Sequence, residues 1–281
     1  MLSSLYIALF AACVAIVATI SIEKLGGALG GLLSSMPSTV VPASLGFWLQ
    51  RVDQENFQHA VYVIPLGMFV NACFLYSWRV GPPIVKNRSQ EWYGDKTVPV
   101  WVSLGGMVVF SLGVWSIGAF MLVLLLRQIS AEILPYVSVF SFFSIALFGW
   151  WACRAGVPTP KGTRPVSIPL LLSRGVLAGL AIGYSTWMAS LGYPILAGMA
   201  SVFPAIFLTT MLSVSLAQGQ AVQAGAVGPM MLGSSSVAIY AILTSIFLPM
   251  FGTLSGMILS WVLSVCCVSL PAWFWLKRQQ R

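Results

Sequence analysis

Residues 98–126 read VPVWVSLGGMVVFSLGVWSIGAFMLVLLL, without one charged side chain. A helix needs about 20 consecutive apolar residues to cross the hydrocarbon core of a bilayer, which is about 30 Å thick. This stretch is longer than that requirement. Its backbone N–H and C=O groups have to be bonded within the segment in lipid, which a helix achieves by itself. The stretch therefore indicates an all-α protein whose main solvent is lipid.

The whole composition agrees with this interpretation. The chain has 281 residues, of which 58% are hydrophobic and 7% charged, against about 25% charged in an ordinary soluble domain. We predict a polytopic transmembrane helix bundle in the lipid bilayer. Its nine predicted spans lie near residues 3–22, 27–49, 58–80, 98–126, 131–153, 169–190, 194–217, 221–246 and 250–276.

The basic residues predict the orientation. The net charge is +8, but Lys and Arg are scattered between apolar segments and form no stripe that would follow a nucleic-acid backbone. With nine spans, all of them except Arg51 and Arg127 fall on one side of the membrane. Cytoplasmic loops retain Lys and Arg. We therefore expect the N-terminus outside and the C-terminus in the cytoplasm, in a plasma or inner membrane.

An internal repeat links the two parts of the chain. The pattern Gly31-x-x-Ser34-x-x-Pro37 returns as Gly198-x-x-Ser201-x-x-Pro204. Farther along, Pro65 and Tyr76 match Pro229 and Tyr240 when three residues are skipped. The matches assign residues 1–127 to a first four-helix repeat, 128–168 to a linker helix and a cytoplasmic loop, and 169–281 to a second repeat. The alternative explanation for these matches is that apolar membrane spans have similar compositions.

A displacement of five spans reverses the orientation of the second unit, so the two repeats are predicted to be inverted. Inverted repeats recur in secondary transporters, in which two similar halves exchange conformations around a central site. The repeat therefore favours a secondary transporter or facilitator of a small solute that works by alternating access. A non-transporting scaffold or assembly factor and a channel are the alternatives.

The first candidate for a substrate site is a pair of proline-interrupted helices. A proline inside a span removes a backbone hydrogen bond and leaves carbonyl groups that need another partner. Interrupted helices at corresponding places in two opposed halves are a pointer to a substrate site near the midplane. Close helix packing through small and hydroxyl residues is the alternative. The candidate residues are Ser34, Ser35, Pro37, Ser38, Thr39, Ser201, Pro204, Thr209 and Thr210.

The second candidate is a polar cluster at matched depths of spans three and eight. Because Pro65 aligns with Pro229, Asn71 aligns with Ser235, which follows Ser234. A buried amide in lipid needs hydrogen-bond partners. The cluster is expected either to hold a polar group of the substrate or to bond a neighbouring helix.

The remaining chemistry is sparse. The six acidic residues fall in loops or near span ends, and the chain has one histidine and five cysteines without a CxxC pair. Proton or cation coupling usually calls for an ionisable group in the membrane interior. No Ser-His-acid or paired-acid arrangement can be assembled from these residues. The sequence therefore predicts no enzyme, no cofactor and no metal site.

One part of the chain resembles a known family. The opening Ala197-Gly198 with Phe203-Pro204, followed by the polar turn Gln218-Gly219-Gln220, makes residues 193–278 similar to the GlpM-like family of small bacterial membrane proteins. The resemblance covers under a third of the chain and implies a shared transmembrane scaffold. In that family charged residues follow the polar turn, whereas residues 221–224 are neutral here. Neither the substrate nor the oligomeric state follows from it.

Overall fold

Helices account for all the regular structure in the part of the chain that the computed structural model describes, which is residues 2–23, 36–93, 99–154 and 168–279. The all-α prediction is confirmed for these ranges. In chain order the helices are α1 (Leu2–Glu23), α2 (Val40–Leu49), α3 (Gln54–Tyr93), α4 (Val100–Leu126), α5 (Leu134–Arg154), α6 (Ile168–Ser190), α7 (Pro194–Ser201), α8 (Ala205–Gln218), α9 (Gln220–Phe251), α10 (Thr253–Ser264) and α11 (Leu270–Gln279). A π-helical turn, Val265–Ser269, joins α10 to α11.

Apolar helices of membrane-spanning length dominate the described ranges. Two further apolar helices are shorter, Ser3–Val17 and Val40–Leu49. The transmembrane character of the chain is thereby confirmed, while the count of nine spans stays a prediction. The 6 stretches that are long and apolar enough to cross a bilayer are Gln54–Glu91, Val100–Leu126, Leu134–Arg154, Pro194–Leu216, Val222–Phe251 and Thr253–Gln279.

Helix α3 extends beyond the predicted third span. The predicted third and fourth spans, near residues 58–80 and 98–126, leave residues 81–97 as their connection. The helix instead continues through Pro82 and Pro83 to Tyr93, so the predicted end of the third span was wrong. One ion pair forms within this added part of the helix. Arg88 and Glu91, one turn apart, form an ion pair of 3.0 Å. Residues 94–98 lie outside the described part of the chain.

Helices α3 and α9 form the centre of the bundle. They pack against each other, and α5 packs against both. In each of the two central helices, 78% of an apolar 18-residue stretch is buried inside the protein. The corresponding share is 11% in α4, which packs mainly on α3. Tyr240 of α9 is fully buried, and its hydroxyl lies 3.0 Å from the hydroxyl of Ser44 in α2. The predicted linker helix, α5, is therefore packed into the bundle rather than held apart from it.

Two polar contacts hold the ends of helices within this packing. Asp53 caps the start of α3, where its carboxylate accepts the backbone N–H of Asn56 at 2.7 Å and the Asn56 side-chain amide at 2.9 Å. The first of these bonds is the main cause that holds the pKa of Asp53 below its ordinary value. Farther along α3, Arg79 donates to the carbonyls of Ala152 at 2.7 Å and Ala224 at 3.1 Å. Because Ala152 lies in the last turn of α5, Arg79 bonds a carbonyl that the helix leaves unpaired.

Small residues let α1 and α6 approach closely. Gly175, Gly179 and Gly183 follow one another at four-residue intervals on α6 and face α1. A Cβ atom added at Gly179 would lie 2.9 Å from the carbonyl oxygen of Ala8. Helix pairs in membranes associate through such small-residue faces, because lipid supplies little hydrophobic driving force between apolar helices.

Replacing Gly179 by valine is expected to destabilise the protein by roughly 1–3 kcal/mol, because the new side chain overpacks the α1–α6 contact. Gly113→Val is the matched control, since a Cβ atom at Gly113 would meet nothing within 4 Å. Thermal unfolding in detergent, followed by tryptophan fluorescence, measures both variants. Equal unfolding midpoints would contradict the proposed role of the glycine face.

Candidate functional site

The seventh predicted span is interrupted at the place that the sequence indicates. Helix α7 ends at Ser201 and α8 begins at Ala205, with residues 202–204 between them in a non-helical conformation. Pro204 occupies the position before α8, with φ of −77° and ψ of 37°. Proline has no N–H to continue the α7 bonding ladder, and its ring disfavours a helical conformation in the residue before it. We refer to residues 202–204 as the break.

A second non-helical segment precedes α2. Residues 36–39 are non-helical, and regular helix starts only at Val40. Pro37, the counterpart of Pro204 in the sequence repeat, is buried in this segment. Ser34 and Ser35, which were predicted to belong to the site, lie outside the described residues.

A cavity of about 50 Å³ lies between residues 36–39 and the break. Its walls come from residues 36–40, from α3, from α6, from the break with the first turn of α8, and from α9. At about 10–15 Å³ for each water-sized position, the cavity holds roughly three to five such positions.

Asn71 of α3 is the main polar side chain in the cavity wall. It is 2% exposed, and its amide nitrogen donates to the carbonyl oxygen of Val202 in the break at 2.7 Å. This contact decides the orientation of the amide, because the amide oxygen would repel a carbonyl at that distance. The oxygen, Oδ1, is buried without a hydrogen-bond partner among the described residues. Asn71 thus stabilises the break and leaves one acceptor unused.

The N-termini of α2 and α8 both reach the cavity. Thr39 and Val40 line it at the start of α2, and residues 205–207 line it at the start of α8. Neither helix has a side-chain cap. The first N–H groups of a helix have no acceptor within the helix, and the N-terminus carries a partial positive charge. Two positive helix ends therefore meet at one small space.

The break is packed firmly from two sides. Val202 lies against Gly67 of α3, where a Cβ atom would collide with the valine side chain. Phe203 makes an edge-to-face contact with Trp115 of α4, with 5.2 Å between ring centroids. Glycine at position 67 is thus required by the close approach of the break to α3.

The structure brings together four of the residues that the sequence predicts for the site. Thr39, Asn71, Ser201 and Pro204 line the cavity. The hydroxyls of Ser234 and Ser235 instead donate to carbonyls of their own helix, at 2.7 and 2.6 Å. The predicted residues that do not line the cavity are Pro37, Ser38, Thr209, Thr210, Ser234 and Ser235.

One charged residue near the cavity was not predicted as part of the site. Arg174 of α6 is 4% exposed, and its Nε donates to the hydroxyl of Thr209 at 3.1 Å. Both residues lie one helical turn from cavity-lining positions, Ala178 in α6 and Ala205 in α8. The sequence analysis assigned Arg174 only to the cytoplasmic charges. Its position inside an apolar span was the signal that could have identified it.

The other residues that line the cavity could not be identified from the sequence. Ala178, Ala181 and Ile182 of α6 and Val237 of α9 are ordinary apolar residues of membrane helices. For metals, the described residues contain no group of three or more His, Cys, Asp or Glu side chains that could hold an ion. All five cysteines are free.

Replacing Asn71 by leucine is expected to lower the stability by roughly 1–3 kcal/mol, because the buried carbonyl of Val202 loses its donor. Ser77→Ala is the control. Ser77 is a buried polar residue on the same helix, but its hydroxyl only donates to the Phe74 carbonyl one turn earlier, at 2.6 Å. Thermal unfolding in detergent compares the two variants. A Ser77→Ala loss as large as the Asn71→Leu loss would contradict a special role for Asn71.

No protein-family model, curated protein or solved structure matches this chain. The resemblance of residues 193–278 to the GlpM-like family stays a prediction.

Proposed function

We propose that the protein is a secondary transporter or facilitator of a small solute, with the cavity between residues 36–39 and the break as its substrate site. The observation that carries the proposal is the position of this cavity. It lies where the segment around Pro37 and the break at Pro204 meet, and these two segments share the Gly-x-x-Ser-x-x-Pro pattern.

The proposed mechanism is alternating access between two inverted repeats, residues 1–127 and 169–281, with residues 128–168 as the linker. Helix packing supports this assignment. Helices proposed as counterparts lie side by side, α1 against α6 and α3 against α9. The α3–α4 contact also has an equivalent in the α9–α10 contact. In this proposal the N-terminus is outside and the C-terminus is cytoplasmic.

The cavity wall also supports a solute site rather than a sealed packing defect. A void that only relieves packing is expected to be apolar and dry. This one is lined by the polar residues Thr39, Asn71 and Ser201 and by the uncapped starts of α2 and α8. Buried polar groups of this kind are costly unless a ligand or water bonds them.

Cysteine accessibility tests the mechanism. After replacement of the five native cysteines by alanine, Ser201→Cys places one thiol in the cavity wall, and Ser234→Cys is the matched control. Both serines are buried and donate to a carbonyl of their own helix, but only Ser201 lines the cavity. A membrane-impermeant maleimide is added to vesicles of each orientation, with and without transported solute.

We expect Ser201→Cys to react from both sides of the membrane, with rates that solute changes in opposite directions, and Ser234→Cys to stay unreactive. Proteoliposomes that contain the protein are expected to show saturable solute uptake. No reaction at position 201 together with no flux for a broad solute panel would contradict transport and favour a scaffold. Flux that does not saturate, with access from both sides unaffected by solute, would indicate a channel.

A further inference from the structure

We propose that the ends of α5 and α11 form a binding surface for an anionic phospholipid. Cationic side chains of this surface bind the phosphate headgroup, and apolar side chains beside them contact the acyl chains. We refer to Arg154 of α5 with Lys277 and Arg278 of α11 as the basic end. It lies outside the cavity, and the proposal does not depend on transport.

The two helix ends lie close together. Ala272 and Leu276 of α11 belong to one apolar cluster, against which Cys153 of α5 packs. Arg154 follows Cys153 and Lys277 follows Leu276 in the sequence. The cations of the basic end therefore come from the last turns of two neighbouring helices, and all of them are exposed.

The charge of the basic end is not balanced within the described part of the chain. The ion pairs found there join residues of α3 to one another. Arg79 adds a further positive charge beside the end of α5, since its guanidinium donates to carbonyls, including that of Ala152 at 2.7 Å. Clusters of Lys and Arg at a membrane surface attract anionic lipids, so a phosphate headgroup would supply the missing negative charge.

Two of the cations lie over tryptophan rings four residues earlier on their helices. The Arg154 Cζ is 3.9 Å from the ring centroid of Trp150, and the Lys277 Nζ is 4.9 Å from that of Trp273. Tryptophan rings favour the headgroup level of a membrane, so these contacts hold the two charges at the depth of the lipid phosphates. A guanidinium that meets a ring through its face keeps its in-plane N–H groups for phosphate oxygens.

Apolar side chains continue the surface along both helices. Leu147, Trp150 and Arg154 share one face of α5 because they are spaced by three and four residues, and Leu147 is 64% exposed. On α11, Phe274 lies one turn before Lys277 and is 55% exposed. A lipid held by its headgroup at the basic end would lay its acyl chains along these side chains. A soluble phosphate would leave them uncovered, which favours a lipid as the ligand.

Lipid binding by the intact purified protein tests the proposal. Phosphatidylglycerol and phosphatidylcholine with identical acyl chains differ only in the headgroup. Native mass spectrometry from detergent measures the dissociation constant of each lipid. We expect phosphatidylglycerol to bind roughly tenfold more tightly or better, since each nearby cation strengthens the attraction. A higher salt concentration is expected to reduce this preference because salt screens exposed charges.

A pair of double variants locates the site. Arg154→Gln with Lys277→Gln removes both ring-bound cations of the basic end. Arg51→Gln with Arg127→Gln is the matched control, since Arg51 also lies over a ring, that of Trp48, and Arg127 also follows the end of a helix. Both control residues lie near the start of α3, away from the basic end. We expect the first variant to bind phosphatidylglycerol about 25-fold more weakly, roughly fivefold for each cation, and the control to bind it as the unmodified protein does.

Three results would overturn the proposal. The first is equal affinity of the unmodified protein for the two lipids. The second is an equal loss in the two double variants, which would make net charge the only cause. The third is tighter binding of glycerol phosphate or of poly-glutamate than of phosphatidylglycerol, which would assign the basic end to a soluble phosphate or to an acidic protein segment. Should the double variant not fold, Arg154→Gln alone, with a loss of roughly fivefold, replaces it.

Discussion

A helix in lipid has to bond every backbone group that it contains, and this requirement shapes the described part of the molecule. The break at residues 202–204 interrupts the bonding ladder between α7 and α8, so the Val202 carbonyl needs a donor from elsewhere in the protein. Asn71 of α3 provides it at 2.7 Å. The orientation of the Asn71 amide follows from the need to satisfy this carbonyl away from water.

Close packing supplies the rest of the framework. Gly67 makes room for Val202, and Gly149 of α5 meets the backbone of Leu232 in α9. Conversely, Gly228 of α9 lies close to the backbone of Cys153 in α5. Such contacts bring backbones together where lipid offers no hydrophobic gain. The framework is therefore tight around the central helices, and the outer helix α4 is left mostly exposed.

Much of the fold could be predicted from the sequence, but less of the site. Long apolar stretches locate the helices, and Pro204 indicates the break because proline removes a backbone donor. Asn71 was identifiable as a polar residue in an apolar span. The α6 wall was not, since Ala178 and Ile182 look like any lipid-facing residue. Ser235 was misleading for a physical reason, because a serine in a membrane helix can satisfy its hydroxyl on its own backbone.

The bond between Asn71 and Val202 joins residues that are 131 positions apart, and this separation has a consequence for biosynthesis. Proteins are made from the N-terminus, so α3 is already available when the interrupted helix leaves the ribosome. The Val202 carbonyl can then accept a hydrogen bond from Asn71, which has already been synthesised. A chain with its two halves exchanged would have to insert the interruption first, before any donor had entered the bilayer.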